Sequence, residues 1–236
     1  MGARDSTMRQ IPLDIGLTVE PSFDTFVAGA SAGNAAAVSH LLSLRPGAAP
    51  AYLWGPAGSG KTHLMRALVA RQQALGQRCG WFNPGDAVPW RIDPGWSLVV
   101  IDDADRLDAS AQQAAFALLI DALEQPLLVA AAGRLPPVDL PLRDDLRTRL
   151  AWGHVFALEP LSEAETRSAL RQEADRRGIF LPDEVMDYLL TRFARDLKNL
   201  MHQLDRLDHF AMTERRAVTL PLLRAMLADP EVGGSA

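Results

Sequence analysis

The chain has 236 residues, 48% of them hydrophobic, with 24 Lys plus Arg against 29 Asp plus Glu and a formal net charge of −5. That is enough apolar material for one large or two modest domains, and the acidic balance argues against a broad, non-specific nucleic-acid surface, which needs a basic face. The single cysteine, Cys79, excludes an intramolecular disulfide and suits a reducing cytoplasm. No apolar run reaches the roughly 18 residues of a membrane span, and residues 1–7 lack the apolar core of a secretory signal.

Near the start, Arg9-Gln10-Ile11-Pro12-Leu13-Asp14-Ile15 precedes the first domain-like segment. Pro12 bars a helix interior and keeps Ile11 extended. An extended peptide with apolar side chains beside a glutamine reads either as a docking motif or as a tail folded back on its own domain. Pro21-Ser22-Phe23-Asp24-Thr25-Phe26-Val27-Ala28-Gly29 is turn-rich and apolar. Phe23 and Phe26 read as core, and a segment leading into a nucleotide-binding strand can also cover the base, the role expected of Phe26 and Val27. Residues 34–44 form a helix candidate ended by Arg45-Pro46-Gly47.

Ala51-Tyr52-Leu53-Trp54 reads as a short buried strand, and it runs into Gly55-Pro56-Ala57-Gly58-Ser59-Gly60-Lys61-Thr62. This matches G-x-x-x-x-G-K-[ST], the phosphate-binding P-loop. Small residues let the backbone wrap a polyphosphate closely enough for its N–H groups to donate to it. Residues 61–75 carry Leu64, Leu68 and Leu75 at helical spacing, so the loop opens onto a helix N-terminus that favours an anion. Lys61 would reach the β- and γ-phosphates and Thr62 would hold Mg²⁺; His63 completes the stretch expected to line the nucleotide.

Residues 78–83 form a second short strand, and residues 84–96 a loop with three prolines. Trp90 and Arg91 in it are interface candidates if exposed; core packing of Trp90 is the competing reading. Leu98-Val99-Val100-Ile101-Asp102-Asp103 is a β-branched run ending in two acids, as in a strand buried on both faces of a parallel sheet. Asp102 is placed to hold Mg²⁺, and Asp103 to orient the attacking water. Then come a helix at 110–125, a strand at 127–132, a proline-rich loop at 134–141, an arginine-rich helix at 142–150 (Arg143, Arg147, Arg149) and a fifth strand at 154–158. Strands alternating with helices give an α/β fold with a parallel sheet. Composition shifts at Glu159-Pro160-Leu161, after which no strand pattern appears. Ser162-Glu163-Ala164-Glu165 is a capping box opening a helix that runs to about Gly178. Further helices open at Pro182-Asp183, Asp196 and Thr219, giving a small all-helical domain.

A P-loop sheet domain followed by a small helical bundle resembles the AAA+ ATPases. Phe23-Asp24-Thr25-Phe26-Val27-Ala28-Gly29 resembles the start of the ATPase domain of DnaA, the bacterial replication initiator. Residues 98–103 look like that branch's Walker B. Leu146-Arg147-Thr148-Arg149-Leu150-Ala151-Trp152-Gly153 looks like its arginine-finger motif, with Arg149 in the finger position, and Arg195-Asp196-Leu197-Lys198-Asn199-Leu200 resembles the sensor 2 helix. The initiator carries a DNA-binding helix-turn-helix domain after this region; this sequence ends at residue 236 and is similar instead to the Hda family, the initiator's short regulatory homologues. That family begins with a sliding-clamp-binding peptide, Q-L-x-L-P/F, to which Gln10-Ile11-Pro12-Leu13 is similar. The resemblance covers about residues 23–227.

The resemblance implies an extended clamp-binding segment at 1–20 (Gln10, Ile11, Leu13), a five-stranded P-loop AAA+ domain at 21–159, a helical lid at 160–228 and a disordered tail at 229–236. It implies ADP or ATP with Mg²⁺, bound by the P-loop with Lys198 at sensor 2, and Arg149 acting in trans. The partners implied are the sliding clamp (the beta subunit of DNA polymerase III) and DnaA, with DNA reached only through the clamp, no membrane, self-association open, and a cytoplasmic location. The implied function is stimulation of ATP hydrolysis by DnaA, which resets the initiator to its inactive ADP state. Two departures stand out: Ala130-Ala131-Ala132-Gly133 offers no polar sensor 1 side chain, and Lys198 replaces the usual sensor 2 arginine and loses its fork. Both lead us to expect weak intrinsic hydrolysis. The rival from another class is an autonomous AAA+ ATPase, a helicase loader or remodeller; a DNA-binding adaptor is disfavoured by the charge.

Overall fold

The computed structural model describes residues 21–193 and 196–229. Gln10, Ile11, Leu13, Arg195 and residues 230–236 lie outside the described residues. Five strands, β1 (Ala51–Trp54), β2 (Arg78–Phe82), β3 (Trp96–Ile101), β4 (Leu128–Gly133) and β5 (His154–Ala157), form one sheet in the order β2-β3-β4-β1-β5. Every pairing is parallel. Parallel strands need crossovers, here made by α2 (Lys61–Ala74), α3 (Ala109–Leu123) and α4 (Asp144–Ala151), with α1 (Ala32–Ser43) ahead of β1.

The continuous apolar runs follow from helices on both faces of the sheet. Leu53, Leu98, Val100, Ala130 and Ala132 pack with Leu41 of α1 and Leu64 and Leu68 of α2. Their neighbours along the strands, Tyr52, Val99, Ile101, Val129 and Ala131, pack on the opposite face with Leu118 and Leu119 of α3 and Leu146 of α4. Of the two interface candidates in the 84–96 loop, Trp90 is buried in this second core and stacks on Phe82 with ring centroids 4.8 Å apart, whereas Arg91 is exposed. Trp96, read from sequence as the end of that loop, begins β3. Its ring fills the space beside Gly80 that a side chain there would need.

After β5 the chain folds into four helices, α5 (Glu163–Arg176), α6 (Asp183–Arg192), α7 (Leu197–Glu214) and α8 (Leu220–Ala228), around a core of Leu170, Val185, Leu189, Leu200, Leu204 and Leu222. Each helix start read from a capping residue holds. Ser162 and Glu165 form a complete capping box, Asp196 accepts from the Asn199 N–H, and Thr219 from that of Leu222; caps of this kind contribute about 1 kcal/mol each. The bundle is joined to the sheet through Asn34, buried on α1. Its amide donates to the Ala28 and Glu159 carbonyls at 3.0 Å each and accepts from the Glu159 N–H at 2.9 Å. Glu165 adds a second tie by accepting from the Ala30 N–H at 2.6 Å.

The turn from α4 into β5 passes close to the start of β1. A methyl group on Gly153 would collide with the backbone of Pro50, whose carbonyl accepts the first hydrogen bond of β5, from the His154 N–H. Backbone cannot yield as a side-chain end can. Gly153→Ala should therefore destabilise the protein by about 1–3 kcal/mol, read by calorimetry as a fall in Tm of about 2–4 °C per kcal/mol.

Candidate functional site

The carboxyl ends of β1, β3 and β4 converge on the loop between β1 and α2. Gly60 caps α2 in the left-handed region, φ 93°, with no side-chain cap. The first N–H groups of the helix are thus left for another acceptor. Lys61 is buried, and its Nζ donates to the Gly55 and Pro56 carbonyls at 2.8 Å each, with Ser59 Oγ at 3.5 Å. Burial lowers its pKa, against the pull of Asp102, Asp103 and Asp105. Thr62 Oγ1 donates to Asp102 Oδ2 at 2.8 Å, and Asp102 Oδ1 accepts from the Asp103 N–H at 3.0 Å. Burial raises the Asp102 carboxyl above the ordinary carboxylate range.

Hydroxyl and carboxylate oxygens together suit a hard divalent cation such as Mg²⁺, which takes one or two protein oxygens and completes its shell with phosphate and water. No group of three or more His, Cys, Asp or Glu among the described residues could hold a metal alone. Asp103 adopts φ 50°, unusual for a residue with a side chain. Its carboxylate is half-exposed beside Arg106, at 3.5 Å.

Two segments close on the loop. The Phe26 ring lies against Gly60, where an added methyl group would come within 2.5 Å of it. The ring also meets His63, with centroids 5.7 Å apart. His63 Nε2 is 2.9 Å from the Ser22 carbonyl, which makes it the protonated ring nitrogen, and 3.3 Å from Thr25 Oγ1. Burial lowers its pKa, so the ring is neutral at pH 7 and staples residues 22–26 to α2. Val27, next along, is half-buried. From the bundle, Asp196 at the head of α7 faces Gly58, and Lys198 is exposed on the first turn of the same helix.

Arg149 is elsewhere, on α4. It lines a shallow concavity of about 470 Å³ with Phe116, Asp144, Asp145, Thr148 and Trp152. Arg143 is paired with Asp145 and Arg147 with Asp144, both at 2.6 Å; among the described residues the Arg149 side chain pairs with none. The structure also brings in residues that sequence reasoning passed over. Asp105 accepts from Arg134 at the end of β4, and Tyr52 of β1 donates to the Leu135 carbonyl at 2.9 Å. The hydroxyl of a tyrosine in a strand otherwise of Ala, Leu and Trp was the one available signal.

Because the Asp102 carboxylate is held above its ordinary pKa, its charge costs stability at pH 7. An asparagine keeps the acceptor for the Asp103 N–H and turns a donor toward Thr62. Asp102→Asn should therefore raise the Tm measured without added nucleotide at pH 7. The penalty is absent below the ordinary carboxylate value, so the gap should close as pH falls toward about 4. A Tm unchanged or lowered at pH 7 counts against this.

The bacterial DnaA ATPase-domain family model matches residues 17–79, and the Hda lid-domain model matches residues 163–227. Among solved structures, domain III of the Thermotoga maritima replication initiation protein DnaA has a TM-score of 0.69 at 21% identity, covering 86% of this chain and 94% of that one. AMPPCP-bound DnaA from Aquifex aeolicus has a TM-score of 0.63 at 19% identity, with 83% and 68% covered. The Thermotoga maritima RuvB Holliday junction branch migration motor has a TM-score of 0.56 at 16% identity, with 78% and 64% covered. At these identities the solved structures speak for the AAA+ fold, and the two family models, a DnaA-type segment in front and an Hda-type lid behind, support an Hda-type protein.

Proposed function

We propose that this protein regulates replication initiation by binding an adenine nucleotide with Mg²⁺, docking on the DNA-loaded sliding clamp, and stimulating ATP hydrolysis by DnaA. In this reading the amides of residues 55–62 and Lys61 hold the phosphates. Thr62 and Asp102 hold Mg²⁺, which when bound supplies positive charge to the phosphate oxygens. Phe26, Val27 and His63 cover the base side, and Lys198 approaches from the lid. The nucleotide assignment is supported by the P-loop geometry and by the AMPPCP carried by the Aquifex aeolicus DnaA neighbour. Asp103, at its half-exposed position, is the candidate to orient water. The clamp contact is assigned to Gln10, Ile11 and Leu13 on the sequence motif.

One observation carries the stimulatory role. Three arginines stand on or beside α4, two are neutralised by neighbouring aspartates, and Arg149 alone of the three has no partner among the described residues, on a concave surface beside Trp152. A guanidinium of this kind, brought to a neighbour's γ-phosphate, stabilises the charge of the transition state and contributes about 10³–10⁵ in rate. Arg149 is therefore the residue that reaches the ATP held by DnaA.

The test is reconstituted DnaA ATPase with loaded clamp. Arg149→Ala should retain nucleotide and clamp binding and lose stimulation, and Arg149→Lys should rescue poorly because the planar fork is gone. Arg147→Ala should stimulate like wild type. The reverse pattern, with Arg147 required and Arg149 dispensable, would place the finger two residues away. Deletion of residues 1–20 should abolish clamp binding in a pull-down while leaving nucleotide binding intact. Clamp affinity that survives the deletion would remove the docking assignment.

A further inference from the structure

Helix α4 carries Arg149, yet its start is not fixed by a cap of its own. It is eight residues long, and its N-cap residue, Arg143, makes no side-chain cap. Leu146 and Leu150 bury one face of it in the core shared with α3. Apolar burial is non-directional, so it decides which face is hidden more than how far along its axis the helix sits.

Gln112, in the first turn of α3, supplies the direction. Its Oε1 accepts from the Arg143 backbone N–H at 2.9 Å, and its Nε2 donates to the Leu107 carbonyl at 2.9 Å and lies 3.5 Å from the Pro141 carbonyl. One planar amide thus ties the residue at the head of α4 to the segment that follows Asp102 and Asp103. The side chain belongs to a half-buried residue, where such bonds are stronger than in water. The loop between β4 and α4 is held separately at its other end. Asp105 accepts from the Arg134 N–H and Nε, at 2.8 and 2.7 Å, and Tyr52 donates to the Leu135 carbonyl. Between the two ends stand Pro136, Pro137 and Pro141, whose ring-locked φ leaves little slack. A displacement at Gln112 therefore passes into α4 rather than into the loop.

The same face of α3 also shapes the surroundings of Arg149. Phe116, one turn beyond Gln112 and so on its side of the helix, takes the Arg143 guanidinium over its ring at 5.7 Å and lines the concavity that holds Arg149. Arg143 is thus held through its N–H by Gln112 and through its guanidinium by Phe116 and Asp145, and Arg149 follows on the helix that starts there.

We propose that Gln112 is a positioning residue for the arginine that acts in trans: its amide fixes the start of α4 against α3, and so fixes the place from which Arg149 reaches a neighbouring molecule's γ-phosphate. This rests on the finger reading above. A guanidinium stabilises a transition state only from near its final position, and a misplacement of about 1 Å can cost about 10²-fold.

The experiment compares Gln112→Met, which keeps the length and loses the hydrogen bonds, with Gln112→Glu, which keeps an oxygen for the Arg143 N–H at a helix N-terminus that favours an anion. In the reconstituted DnaA ATPase with loaded clamp, Gln112→Met should lower the maximal stimulated rate by about tenfold, while the concentration for half-maximal stimulation and the affinity for Mg-ADP stay within about twofold. Gln112→Glu should recover most of the rate, and it reads out the proposal even if the methionine variant fails to fold. Added to Arg149→Lys, Gln112→Met should cost little more, because both act through one group. Without DnaA, hydrogen exchange of the full chain should show residues 141–151 exchanging faster in Gln112→Met and residues 55–62 unchanged. A methionine variant of normal Tm that stimulates like wild type would overturn the proposal, as would unchanged exchange in α4. Equal loss of rate, Mg-ADP affinity and clamp binding would make Gln112 a general structural residue and overturn it too. Full stimulation by Arg149→Ala would overturn the finger reading and this proposal with it, whereas loss of stimulation in Arg149→Ala but not in Gln112→Met would overturn the proposal alone.

Discussion

A phosphate-binding loop has to be bare backbone, and in this protein the bareness is used from outside as well as from within. Each of the three P-loop glycines abuts a different part of the chain: Gly55 meets the Leu158 carbonyl at the end of β5, Gly58 meets Asp196 at the head of the lid helix α7, and Gly60 meets the Phe26 ring. All three have positive φ, at 155°, 79° and 93°, so a side chain would be strained there whatever the space. The sheet edge, the bundle and the N-terminal segment are therefore registered against one loop of eight residues. Anything that shifted the loop would shift all three, and the converse holds equally.

The electrostatics around that loop follow from burial. Lys61, Asp102 and Asp105 are all buried, whereas the exposed ion pairs elsewhere carry little energetic consequence. Buried charges are retained at a cost and must be satisfied. Lys61 is satisfied by carbonyls of its own loop, Asp102 by Thr62 and a backbone N–H, and Asp105 by Arg134. The first two sets of partners are the groups that a polyphosphate and a divalent cation would engage. The stored cost is therefore local to the site, and the raised Asp102 carboxyl is its clearest sign.

Most of the architecture was legible because it is set by local rules. Runs such as Leu98 to Ile101 can only be strands covered on both faces, and Ser162, Asp196 and Thr219 start their helices where their side chains cap them. The P-loop and Asp102 were legible because phosphate and metal chemistry demand those residue types at that spacing. What stayed hidden depends on partners far away in the chain. Core packing of Trp90 was already a reading of the sequence, and Phe82 supplies its stacking face. The run of alanines ending at Gly133 reads as the loss of a sensor residue until Tyr52, from a strand far earlier in the chain, is seen to fill the space, and Arg134 reads as a loop cation until Asp105 is seen beneath it. Pattern and propensity carry no record of such pairings.

The arginines illustrate how pairing separates roles. An arginine bonded through both its backbone and its Nε to a buried carboxylate, as Arg134 is to Asp105, is committed to holding its own chain. An arginine that must reach another molecule is better left without a partner, because a standing ion pair would have to be broken before a foreign phosphate could be engaged. Arg143 and Arg147 are committed to Asp145 and Asp144, and Arg149, close to both, is not. The same guanidinium group thus appears in three states of commitment within a short stretch of chain. Arg134 follows β4 directly, held by Asp105, and Arg149 lies on a concavity that the P-loop does not line. In the proposed reading, an arginine that acts on a neighbour's nucleotide needs that freedom, since a guanidinium held in a standing ion pair is not available to a foreign phosphate.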